Sequence, residues 1–174
     1  MGSPERLAAG LMIRPMRETD REAVVSLILQ LNRHEARLDL REQPFALDRD
    51  TSNEAAAATL LYDRERAALC DGALMVAESD DKVIAFMCWL VEEAGPFVRA
   101  EMRRFGYVAD LVIDEPHRRK GIGQRLLAEA ERLTRARGLK RLVIGAQAGN
   151  DSALGAYRRF GFEPFCFELQ KALD

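Results

Sequence analysis

Residues 107–124 read YVADLVIDEPHRRKGIGQ, a strand-like run turning through a basic, glycine-containing corner, and that corner limits what the chain can become. The apolar run at 107–113 predicts a strand, and the stripe Ile122, Leu126, Ala130 and Leu133 predicts a helix that stops at Gly138. The first amides of such a helix have no intrahelical acceptor, and its dipole favours negative charge. Gly121 and Gly123 remove side chains that would hold an anion away from those amides. The same glycines also suit a tight helix start with no ligand. Spacing excludes two phosphate sites. A dinucleotide fingerprint needs a third glycine where this chain has Leu126, and an acid about 20 residues on, and KRLVIGA offers none. A P-loop needs G-K-[ST] after a four-residue gap, and no such sequence occurs.

The rest of the chain surrounds this corner with alternating elements. A short strand at 11–14 ends at Pro15, and Thr19 or Asp20 caps a helix carrying Val24, Leu27, Ile28 and Leu31. Thr51, Ser52 or Asn53 caps a second helix running to Leu69. ALMVAES (73–79) and KVIAFMCWLVEE (82–93) read as strands around the turn signal Asp80–Asp81. KRLVIGA (140–146) is another strand, Asn150, Asp151 or Ser152 caps a short helix ending at Gly161, and FCFELQKAL (165–173) reads as the last strand. Neither repeats nor low-complexity linkers divide the chain, so the expectation is one α/β domain over 1–174, with residues 1–10 a flexible extension.

The net charge of −2 gives no reason to expect nucleic-acid binding. No apolar run approaches the roughly 18 residues that span a membrane. MGSPERLAAG also lacks a secretory core, so a cytoplasmic protein is expected. Cys70, Cys88 and Cys166 are widely spaced without CxxC, which reads as plain thiols with neither disulfide nor metal.

Arg118-x-x-Gly121-x-Gly123 resembles the [QR]-x-x-G-x-[GA] pyrophosphate loop of the GCN5-related N-acetyltransferase (GNAT) superfamily. Asn150-x-x-Ala153-x-x-x-Tyr157-x-x-x-Gly161-Phe162 is similar to the family's N-x-x-A-x-x-x-Y-x-x-x-G-F segment, and YVADLVIDEP to its strand entering the loop. The three matches stand in the right order across 107–162. The resemblance implies a mixed sheet of six to seven strands flanked by about four helices, and acetyl-CoA as co-substrate without a metal. It places Leu111, Val112 and Ile113 beside the pantetheine arm. It places Arg118, Arg119, Lys120, Gly121, Ile122, Gly123 and Gln124 around the pyrophosphate, with Asn150, Ala153 and Tyr157 near the arm's far end.

Asn150 reads as a helix cap or, by the resemblance, as a ligand of the pantetheine arm. Tyr157 reads as a packed ring on the stripe Ala153, Ala156, Phe160, or by resemblance as the group serving the leaving sulfur. An amine of pKa about 10.4 must lose a proton before it attacks. Asp110 is the first choice of base, provided a bulge turns it to the acceptor; Glu92, Glu93 or water are the others. No cysteine has a histidine nearby in sequence, so direct transfer in a ternary complex is expected over a covalent step. The acceptor implied is a small-molecule amine or a protein amine, and Asp39, Glu42 and Asp48 would suit a cationic one. A homodimer is common in the family, and a non-catalytic acyl-CoA-binding module is the rival reading.

Overall fold

In a computed structural model, residues 10–38, 49–169 and 171 are described. The chain runs β1 (Met12–Pro15), α1 (Arg21–Glu35), α2 (Asn53–Leu69), β2 (Ala73–Ser79), β3 (Lys82–Glu93), α3 (Ala100–Arg103), β4 (Arg104–Ile113), α4 (Ile122–Ala136), β5 (Leu142–Ile144) and α5 (Asp151–Phe160). The five strands form one sheet in sequence order. The first four pair antiparallel, and β5 joins β4 in parallel. Asp80 and Asp81, both at positive φ (50° and 58°), make the tight β2–β3 turn that their sequence signalled.

β3 sits at the centre because its residues are apolar on both faces, and Ile84 through Val91 are all buried. Met87, Trp89 and Val91 meet Ile122, Leu126 and Ala130 of α4 on one face. Phe86, Cys88 and Leu90 meet Val24 and Ile28 of α1 and Ala56 and Leu60 of α2 on the other. The expected caps are there: Ser52 accepts from Ala55 N (3.1 Å) and Asn150 from Ala153 N (3.1 Å). Asp20 begins α1 without capping it, because Arg14 holds its carboxylate (2.7 Å).

Trp89 is fully buried, and its indole donates to Thr134 Oγ1 (3.1 Å) across the sheet–helix interface. Gly106 of β4 lies directly beneath: a Cβ there would come within 2.2 Å of Thr134 Oγ1 and 2.9 Å of Trp89 Nε1. Gly106→Ala is therefore expected to destabilise the fold by about 1–3 kcal/mol, the usual range for overpacking a core. Urea denaturation checks it.

Two expectations need correction. The sheet has five strands among the described residues rather than six to seven, and five α-helices rather than four, the extra one being the single turn α3. KRLVIGA shortens to Leu142–Ile144, and 165–169 of the expected last strand (165–173) join no strand, with Phe165, Phe167 and Leu169 exposed, while 170, 172 and 173 lie outside the described residues. A three-residue β5 offers a further strand too little ladder to join. Residues 1–9 of the expected N-terminal extension, and Asp39, Glu42 and Asp48, lie outside the described residues.

Candidate active site

β4 and β5 pair only at Gly106–Leu142, Tyr107–Val143 and Val108–Ile144. Beyond Val108 the two strands part, so Ala109 through Val112 carry main-chain groups with no β5 partner on that side among the described residues. The gap opens a cavity of about 500 Å³, lined by β4 from Ala109 to Ile113, the start of α4, Gly145–Gln147 and one face of α5. Leu111, Val112 and Ile113 are among its lining residues.

At one end lies the glycine corner. Arg119 and Gly121 both adopt left-handed backbone (φ 62° and 76°), which turns successive amides toward one point. Arg125 N, bonded to Gly121 O (3.3 Å), closes the first turn of α4, leaving the amides of Ile122, Gly123 and Gln124 free of it. A Cβ on Gly123 would stand 3.2 Å from Ile113 Cδ1, so this glycine lets the helix start sit against β4. The Arg118 guanidinium donates to Ile113 O (3.1 Å) and ties the corner to the strand. Arg118 and Arg119 line the cavity; Lys120 is not among its lining residues. The arrangement fits a pyrophosphate at the amides and an extended arm along the open edge of β4.

α5 supplies the middle of the cavity. Asn150 Oδ1 is used as its cap, which leaves the Nδ2 hydrogens uncommitted to it. Ala153 and Tyr157 follow on the cavity face. The Tyr157 ring packs edge-on against Phe162 (centroids 6.0 Å apart). Burial, aided by the negative charges of Glu35 and Asp110, pushes the Tyr157 phenol up to about 12.

Asp110 marks the other end, and a bulge puts it there. The β3–β4 register runs Cys88–Asp110, then Trp89–Val108, so Ala109 is the extra residue. Strict alternation would set Asp110 on the α4 face with Val108; the bulge moves it to the α1/α2 face, opposite Cys88. Burial raises the Asp110 carboxyl above its ordinary range. Glu35 of α1 lines the same end, paired with Arg49 (2.7 Å) and also raised by burial. Glu92, the alternative base, is tied to Arg66 (2.6 Å), and neither it nor Glu93 lines the cavity.

Sequence reasoning missed Asp63, which is 1% exposed on α2 and within hydrogen-bonding reach of Asp110. A signal existed. Ala56, Leu60, Asp63 and Ala67 recur at the spacing of one buried helix face, and a lone acid on such a stripe asks for a partner.

The chain belongs to the acetyltransferase (GNAT) family, whose model matches residues 35–162. It is therefore an acetyl-CoA-dependent N-acetyltransferase with the α/β fold of that family. No curated protein sequence matches it. Among solved structures it is similar to a GCN5-related N-acetyltransferase from Ralstonia eutropha JMP134, with 26% identity, TM-score 0.70, and coverage of 94% of this chain and 99% of that one. An aminoglycoside N-acetyltransferase in complex with CoA shares the fold at 17% identity and TM-score 0.68, covering 94% of both chains. So does glucosamine-6-phosphate N-acetyltransferase from Arabidopsis thaliana, at 16% identity, TM-score 0.63, and coverage of 95% and 100%.

Proposed function

We propose that this protein acetylates the primary amine of a small cationic molecule by direct transfer within a ternary complex. The observation that carries the reading is the continuity of one cavity, from the glycine corner past Tyr157 to Asp110 and Glu35. The amide-rich end suits a pyrophosphate and the acidic end suits an ammonium group. Relatives of the same fold that are named for aminoglycoside and glucosamine-6-phosphate acetylation support a small-molecule acceptor.

Acetyl-CoA, when bound, supplies the acyl group as a reactive thioester. Asp110 takes one proton from the ammonium and frees the nitrogen lone pair. The new N–C bond forms as the C–S bond breaks, its electron pair leaving with sulfur. The nitrogen then loses its second proton and the sulfur gains one, so ammonium and thioester give amide, thiol and one proton to solvent. Tyr157 donates a hydrogen bond to the sulfur as it leaves. The open edge of β4 and the amides of 119–124 orient the donor, while Glu35 and Asp110 hold the acceptor's positive charge.

The test is a panel of primary amines (polyamines, amino sugars, aminoglycosides, amino acids and lysine peptides) scored for CoA release above thioester hydrolysis. Release with small cationic amines is the expected result. CoA binding without release across the panel would replace this reading with a non-catalytic acyl-CoA-binding module. The donor end has its own test. Gly121→Val places a β-branched residue at positive φ, a strain of about 1–3 kcal/mol, so CoA affinity should fall about tenfold or more by calorimetry.

A further inference from the structure

Asp63 stands on the buried face of α2, 1% exposed, and its Oδ2 finds no donor among the described residues. Arg66, one turn further along the same helix, directs its guanidinium to Glu92 (2.6 Å) and lies over the Tyr62 ring. The side chain within reach of Asp63 that matters most is another carboxyl, Asp110. Two buried carboxylates side by side repel, and Asp63 Oδ2 lacks a donor among the described residues; one proton between them supplies it and removes one charge.

We propose that Asp63 and Asp110 form a proton-sharing carboxyl pair, in which Asp63 keeps the proton and donates it as a hydrogen bond to the Asp110 carboxylate. Asp63 is then a positioning residue: it fixes the orientation of Asp110 and sets the affinity with which that group takes the amine's proton. The role rests on the reading of Asp110 as base; the pair itself does not.

Every element around the pair bears on its charge. Arg49 and Arg66 favour ionisation of Asp110, the Asp110 charge in turn raises Glu35 of α1, and the Cys88 thiol on β3 donates toward Asp63. Tyr107 of β4 and Tyr157 of α5 stand within range as neutral phenols, both raised by burial. Desolvation, with the neighbouring Asp110 charge, outweighs Arg66, and Asp63 is pushed up to about 8. Because pair members titrate together, the proton belongs to the pair as a macroscopic unit.

The pair makes a prediction in the protein without ligands. A carboxyl whose folded pKa lies above its unfolded value near 3.9 binds more protons in the folded state, so its contribution to stability falls as pH rises between the two values. Asp63→Asn keeps the shape and the donor but does not titrate. Its melting temperature relative to wild type is expected to climb as pH rises from about 5 to about 8. A flat difference, or one that falls as an ion-paired carboxylate would give, overturns the pair.

Infrared spectra of the wild-type and Glu35→Gln proteins carry the same test without altering Asp63. A protonated carboxyl band should remain at pH 7 in both and bleach as the pH passes about 8. Its absence at pH 7 overturns the pair. For the positioning role, the acid limb of kcat/KM with an accepted amine is expected to move up by about one unit or more in Asp63→Leu, which lacks the donor. Asp63→Asn, which retains one, is expected to restore the limb. An unmoved limb in Asp63→Leu overturns the role. No turnover with any amine overturns the transferase reading and the role together, while the melts decide the pair on their own.

Discussion

Phenylalanine at position 157 is expected to lower kcat about 10²–10³-fold, the range for losing one donor at a centre of developing charge. CoA affinity should stay where it is, because the Phe ring keeps the edge-on contact with Phe162. The direction of the Tyr157 shift decides what the hydroxyl does. At about 12 it holds its proton across any practical pH, more tightly than a thiol of pKa about 8.5. Complete transfer to sulfur is uphill by about 5 kcal/mol at 1.36 kcal/mol per unit, so stabilisation by a hydrogen bond carries the effect. The same shift implies that no basic limb of the pH profile belongs to this phenol. Steady-state kinetics together with calorimetry separate the outcomes: equal losses in kcat and CoA affinity would make Tyr157 a packing residue only.

The second large effect is at Asp110. Asp110→Asn is isosteric and still meets Asp63, so the site should remain folded while kcat/KM at neutral pH falls about 10²–10⁴-fold. The pH profile gives the sign. A carboxylate base acts only when ionised, so wild-type activity should rise as pH climbs through the raised Asp110 value. In the Asn variant that limb disappears, and only the slower rise toward the amine's own pKa of about 10.4 remains. A full-length pH series with one accepted amine measures both. An unchanged profile would hand deprotonation to water.

What the sequence disclosed was whatever is local. The corner at 118–124 and the segment from Asn150 to Phe162 each compress their geometry into a short run, so turn, cap candidates and helix stop were legible there, while the ligand came only with the family resemblance. The β2–β3 turn and both clean caps were legible for the same reason. Asp63 was not, because its partner is on another element, 47 positions away (110 − 63), and only folding brings the two together. The last strand failed differently. Phe165, Phe167 and Leu169 alternate as a strand should, yet alternation says nothing about whether a neighbouring ladder exists to receive it. Asp110 fell between these cases: its residue type was visible, whereas its facing depended on one inserted residue at Ala109.

The parting of β4 from β5 after Val108 has a consequence for how such a protein can change over time. On the proposed reading the donor is recognised by peptide groups, which every amino acid carries, and the acceptor by side chains. Drift at the acceptor end, where α1 and the bulge rather than α2 supply the lining side chains, can thus retune which amine is modified while the donor end goes on working. One end of the cavity is a fixed socket, and the other is an interchangeable fitting.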